Sequence, residues 1–190
     1  QGIVIKNWWS PDLPEEINNS KEYALAIGRL EKVKGFDLLI KSWVGIKSKL
    51  VIIGSGDEYK NLKILINDNN LQDKVSIVKD LPFTELIKYY SKASILIVSS
   101  RNEGGPRVAL EALYLKIPVI STNVGHMAEI LPQELLAKPN DLESLRALIH
   151  SYVENSNINQ DAIFRYVNEE YSLTKQSNKV IDIYKELLVS

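Results

Sequence analysis

The chain has 190 residues, 45% of them apolar and 25% charged, the size and balance of one packed globular domain. Its 23 Lys and Arg nearly cancel 24 Asp and Glu, so no field of one sign marks nucleic acid or an anionic membrane as a partner, and any phosphate recognition must be local. With no cysteine and only His126 and His150, a disulfide framework, a thiolate metal site, a cysteine nucleophile and a His-rich metal centre are excluded.

No apolar run reaches the roughly 18 to 20 residues that a membrane span needs. The sequence begins at Gln1 and its only methionine is Met127, so it is expected to be a segment of a longer protein. Residues 7–20, with Pro11, Pro14 and several polar side chains, read as a linker; residues 1–20 are expected to be an interdomain connector and 21–190 the folded domain. From there, short β-branched runs at 23–27, 50–53, 75–78, 95–98 and 119–121 each precede a helical pattern, and a weaker sixth strand is expected at 135–137. Near-continuous apolar strands alternating with helices predict an α/β fold, a doubly wound, Rossmann-like parallel sheet of about six strands.

Helix starts are read from caps: Thr84 before Leu86, Ile87, Tyr89 and Tyr90, Pro106 at a first helical position, and Asn140 with Glu143 as a capping box before Leu145, Leu148 and Ile149. Beyond Asn155 the strands stop. Two terminal helices are predicted, at Asp161–Glu170 and at 175–188, the second with Val180, Ile183, Tyr184, Leu187 and Leu188 on one face.

Ligands of open parallel sheets bind beyond the carboxyl ends of the strands, which singles out four segments. After the first strand, Gly28-Arg29 and then Lys34-Gly35 at a helix start offer close backbone approach, a forked donor set and a point charge, all suited to a diphosphate. Taken alone, they suit an ordinary surface loop equally well. After the second, Gly54-Ser55-Gly56 is a lone G-x-G that would look the same as a turn with no ligand. After the fourth, Glu103 is followed by Gly104, Gly105, Pro106, Arg107 and Val108, and then by Glu111 inside a helix. Free N–H groups at a helix start attract phosphate and carboxylates accept hydroxyls, so this segment fits a sugar diphosphate; the alternative is two acids that merely favour the positive end of a helix. After the fifth, Glu129 is either a further hydroxyl acceptor or a surface acid, and a lone histidine such as His126 is given no catalytic role.

Gly28-Arg29 with Lys34-Gly35, the acids Glu103 and Glu111 separated by seven residues, and Pro118-Val119-Ile120-Ser121-Thr122 together resemble the C-terminal domain of glycosyltransferase family 4, the large retaining group of two-domain GT-B enzymes, from about Tyr23 onward. The resemblance implies the C-terminal, nucleotide-sugar-binding half of a GT-B fold, with the N-terminal acceptor domain outside this chain. It implies a retaining hexosyltransferase of the cytoplasm, or of the cytoplasmic face of a membrane in peripheral association. Such an enzyme moves a sugar from a nucleotide-diphosphate donor to a hydroxyl of a polysaccharide, lipopolysaccharide or lipid-linked glycan, with no cofactor and no metal, and the fragment alone is expected to be inactive. Carried over residue by residue, Arg29 and Lys34 clamp the diphosphate and stabilise the departing nucleotide, Glu103 faces the donor sugar, and Glu111 binds the ribose. The backbone of Gly104, Gly105, Pro106, Arg107 and Val108 lies by the sugar and phosphates, and Gly28, Gly54 and Gly56 lie near the nucleotide.

Four departures bear on these expectations. Lys79 stands where the family usually has glycine, Pro132-Gln133-Glu134 contracts an Asn-Gly turn, His126 replaces a second glycine after Gly125, and Trp8-Trp9 occupy an Asn-Gly stretch of the connector. A nucleotide-sugar epimerase, a sugar phosphorylase and a non-catalytic nucleotide-sugar-binding module remain as alternatives.

Overall fold

The structure is a computed structural model that describes residues 13–14, 17–153 and 160–189; Trp8-Trp9 and most of the expected connector lie outside the described residues. The apolar runs form six parallel strands: β1 (Tyr23–Ile27), β2 (Leu50–Ile53), β3 (Val75–Val78), β4 (Ala93–Val98), β5 (Val119–Thr122) and β6 (Leu136–Ala137). Their order across the sheet is β3-β2-β1-β4-β5-β6. Every position of β2 and β5 is buried, as expected of strands covered on both faces. The connecting helices are α1 (Phe36–Ser42), α2 (Tyr59–Asp68), α3 (Phe83–Tyr90), α4 (Arg107–Tyr114), α5 (Met127–Ile130) and α6 (Leu142–Val153), followed by α7 (Asp161–Glu170) and α8 (Leu173–Val189).

The strand order reverses between β1 and β4. From β1 the chain builds outward through β2 and β3, then returns to β4 on the other side, so the loops leaving β1 and β4 lead to opposite sides of the sheet from the point at the carboxyl edge where the order reverses. The core on either side is continuous, with Leu25, Leu39, Trp43, Ile52, Leu96 and Ile120 fully buried. Where Trp43 is enclosed, its indole N–H donates to the Ser48 carbonyl at 2.9 Å, which removes the cost of burying that donor.

Several helix starts differ from the sequence-based expectation. The residue flanking α3 is Pro82, so Thr84 falls inside the first turn. Pro106 flanks α4 from outside in extended backbone, and Arg107 is the first helical residue. Asn140 is not the cap of α6: it holds a left-handed φ of 57°, and Asp141 Oδ1 accepts the Ser144 N–H at 3.0 Å in its place. In α8, Tyr184 and Leu188 of the predicted apolar face are 65% and 85% exposed, whereas Val180 and Ile183 are half-buried, so only part of that face packs on the described domain; the side chain of Leu187 lies outside the described residues. Between α6 and α7, buried Gln160 grips β5 by accepting from the Val119 N–H and donating to the Val119 carbonyl, both at 3.0 Å.

Candidate functional site

The tails of β1 and β4 are joined through carbonyls of the β1–α1 loop, with one backbone and two side-chain donors. Three successive carbonyls of the β1–α1 loop each accept from the segment after β4: Lys32 from the Arg101 guanidinium, Val33 from the Arg101 N–H at 2.7 Å, and Lys34 from the Ser99 hydroxyl at 2.9 Å. Gly35 completes this seam with φ 66°; a Cβ there would come within 2.1 Å of the Ser99 carbonyl oxygen, so only glycine permits the approach. On the far side, the Thr122 hydroxyl donates to the Ser100 carbonyl at 2.6 Å, and Gly125, with φ 52°, packs against the carbonyls of Glu103 and Gly104.

This scaffold brings Lys34 and Glu103, 69 residues apart in sequence, into a direct ion pair between Nζ and Oε1. The side chains are only 20% and 15% exposed, and the Ser100 hydroxyl donates to the same Oε1 at 2.9 Å. Both donors converge on one carboxylate oxygen. Lys34 lies over Gly28, whose missing Cβ would stand 3.5 Å from the lysine stem. A cavity of about 190 Å³ opens next to Gly28, lined by Ile27, Arg29, Ile53, Gly54, Leu81 and Leu86 among others. Its walls are mostly apolar, and Arg29 supplies its cation.

The remaining predicted residues occupy different surroundings. Arg29 is 73% exposed and pairs with Glu31 at 2.6 Å, at the mouth of the cavity rather than on the Lys34–Glu103 pair. Gly54 lines the cavity beside Gly28, and Gly56 turns the next loop with φ 150° against the Leu30 backbone. Gly104 is open, whereas Gly105 and Pro106 face a small apolar niche with His126, Met127 and Tyr171. Val108 is partly buried against the core, and Arg107 is exposed and 3.6 Å from Glu111.

Glu111 itself is 5% exposed and accepts from the Tyr90 hydroxyl at 3.0 Å. Burial pushes its carboxyl above the usual range, against the opposing hydrogen bond from Tyr90 and the charge of Arg107. Tyr90, fully enclosed and beside that carboxylate, is held well above the ordinary phenol value and so stays a donor.

Among the residues that sequence reasoning did not single out, Arg101 is the most connected. Its guanidinium forks onto Asp37 with two bonds of 2.8 Å, donates to the Lys32 carbonyl, and through Nε reaches Asn140 Oδ1 at 2.8 Å. Burial raises the Asp37 carboxyl, but the hydrogen bond and charge of Arg101 outweigh it and hold the group below its ordinary value. Tyr90 is likewise paired 21 positions from its partner. Neither pairing leaves a local spacing to read.

The sheet matches solved GT-B glycosyltransferase structures. A glycosyltransferase of Rickettsia africae superposes with a TM-score of 0.78 at 24% identity, over 90% of this chain and 48% of that one. The sucrose-phosphate synthase of Thermosynechococcus elongatus gives 0.73 at 23%, over 96% and 50%, and Anabaena Alr3699/HepE in complex with UDP gives 0.78 at 15%, over 88% and 49%. Residues 13–167 match the family of glycosyl transferases group 1, and the chain belongs to that family. An uncharacterized glycosyltransferase of Methanocaldococcus jannaschii is 29% identical over 98% of this chain and 54% of its own length. The O-antigen chain mannosyltransferase RfbU of Salmonella typhimurium is 30% identical over 78% and 42%. The chain spans about half the length of the curated relatives it matches.

Proposed function

We propose that this chain is the C-terminal, donor-binding domain of a retaining glycosyltransferase of family 4, which transfers a hexose from a nucleoside-diphosphate sugar to a hydroxyl of a glycan or lipid-linked acceptor held by a second domain. The observation that carries the reading is the Lys34–Glu103 pair at the strand-order reversal, cation and carboxylate side by side. A diphosphate needs the first and a sugar hydroxyl needs the second. Glu103 Oε1 already receives Lys34 and Ser100, which leaves Oε2 to accept a hydroxyl of the donor sugar.

In this reading the nucleoside enters the apolar cavity beside Gly28 and Gly54, with Arg29 at its mouth ready to exchange Glu31 for phosphate. The bond that breaks joins the anomeric carbon to the diphosphate. Negative charge grows on the leaving oxygens, and Lys34, Arg29 and the N–H groups that open α4 stabilise it, so the reading calls on no metal ion. The α4 start has no side-chain cap; the Ala109 N–H donates to the Pro106 carbonyl, and the N–H groups of Arg107 and Val108 ahead of it are the ones a ligand would take. Glu111 would take the ribose by exchanging its contact with exposed Arg107 for a ribose hydroxyl while Tyr90 holds its other oxygen. The complex of HepE with UDP supports a nucleoside diphosphate as the ligand class.

The test is calorimetric titration of the full-length protein with UDP, GDP and ADP, paired with a transfer assay. One nucleotide is expected to bind, Arg29→Ala and Lys34→Ala to weaken it, and Glu103→Ala to abolish transfer while changing nucleotide affinity little. A wild type that binds a nucleotide sugar yet transfers nothing would favour the non-catalytic module, and full transfer by Glu103→Ala would refute the assignment.

A further inference from the structure

Two of the three hydrogen bonds that join the β1–α1 loop to the segment after β4 come from one residue, Arg101, the third coming from the Ser99 hydroxyl. Arg101 lies two residues before Glu103, and its backbone and guanidinium between them hold the carbonyls of Val33 and Lys32, the two residues before Lys34. The same guanidinium is anchored from outside by Asp37, in the first turn of α1, and by Asn140 on the β6–α6 loop. Asn140 adopts its left-handed backbone conformation at that contact. Three loops therefore meet on one planar cation, which is 26% exposed.

We infer that Arg101 is a positioning residue of the donor site: it sets the height of Lys34 against Glu103 and thereby the strength of the grip on a diphosphate, without touching the ligand itself. The inference rests on the proposed donor-site function. Its physical basis is the fork. A guanidinium satisfies a bidentate carboxylate, a carbonyl and an amide oxygen at fixed angles, whereas an ammonium of equal charge cannot hold all of these in one plane. Loss of the fork frees the Lys32 carbonyl and leaves the 32–34 segment on two bonds, from the Arg101 N–H to Val33 and from the Ser99 hydroxyl to Lys34, about which it can shift relative to the tail of β4. Lys34 is carried directly by that segment, and its ion pair with Glu103 is the contact most sensitive to such a shift.

The test is a double-mutant cycle in the full-length protein, read as the dissociation constant of whichever of UDP, GDP and ADP the wild type binds. Arg101→Lys is expected to weaken that nucleotide roughly tenfold in the wild-type background and less than about twofold in Lys34→Ala, because the effect passes through Lys34. Asn140→Gly keeps the left-handed backbone, removes only the Nε contact, and is expected to give a smaller loss with the same dependence on Lys34; it serves if Arg101→Lys folds poorly, which thermal unfolding would show. Equal losses in both backgrounds, or no loss from either variant, would overturn the inference while leaving the donor site standing. Failure of the wild type to bind any of the three nucleotides would overturn the donor site and this inference with it.

Discussion

Gly54→Ala tests the architecture of the site apart from any ligand. Gly54 is buried where β2 leaves the sheet, and a Cβ on it would lie 1.9 Å from the Gly28 carbonyl oxygen, with no backbone strain to share the effect because its φ is ordinary. Real contacts of this kind stay near or beyond 3 Å, so the two tails must part by about an ångström. That movement strains the bonds from the Gly28 N–H to Ile53, 3.0 Å, and from the Leu30 N–H to Ser55, 2.7 Å. At about 1 kcal/mol per bond plus about 1 kcal/mol of residual strain, the cost is about 3 kcal/mol. For a domain of this size each kcal/mol moves the midpoint by about 2 to 4 °C, so Tm should fall by roughly 6 to 12 °C in a calorimetric scan. Gly104→Ala is the control, since nothing lies within 4 Å of its Cβ position; there, Tm is expected to stay within about 2 °C or to rise slightly as the unfolded chain loses freedom. If Gly54→Ala melts with the wild type, or Gly104→Ala falls as far, close approach of the Gly28 and Gly54 backbones does not set the stability of this edge.

Glu111→Gln should raise Tm at neutral pH while weakening nucleotide binding, because it removes a buried charge and keeps an acceptor for Tyr90. Since the folded carboxyl lies above its unfolded value of 4.5, the wild type is favoured in acid and loses that advantage as pH rises through the folded value. The gap in Tm between variant and wild type should thus widen from pH 4 toward neutrality; a gap constant with pH would contradict the assignment. Gln160→Leu should cost about 2 to 4 kcal/mol by stranding the N–H and carbonyl of Val119, and a melting point within about 2 °C of wild type would show that water or a neighbour replaces both bonds.

The strands were legible because a buried parallel strand leaves an unmistakable run of apolar residues, as at Leu50–Ile53 and Val119–Thr122. β4 begins two residues before its apolar run because Ala93 pairs with Tyr23 and the Ser94 hydroxyl reaches the Tyr23 carbonyl, a long-range gain that outweighs weak strand composition. Cap positions slipped for a similar reason. Asn140 looks like a cap from its neighbours, yet its side chain is claimed by Arg101, 39 positions away. Glu103 and Lys34 were visible as candidate chemistry, but their pairing was not, since nothing in the spacing of the β1 and β4 tails says which side chains meet. Glu111 was legible as an acid in a helix start, and its enclosure by Tyr90 was not. The exposed side of α8 shows the limit of periodicity, which finds an apolar face without saying what covers it.

The join at Gly125 has a consequence for how such a site can change over time. Because the β5 loop rests on carbonyls of Glu103 and Gly104 through a residue with no side chain, the main chain that carries the acid is fixed on that side by backbone contact, while Lys34 and Ser100 hold its carboxylate. Half-buried His126 stands beside Gly105 and Pro106, and exposed Lys79 follows β3; neither side chain is among the nearest contacts of the Gly125 join. Under the proposed function, side chains outside this join could change one at a time while the main chain of the acid stays where it is, which would make altered selectivity and retained chemistry separable mutational steps.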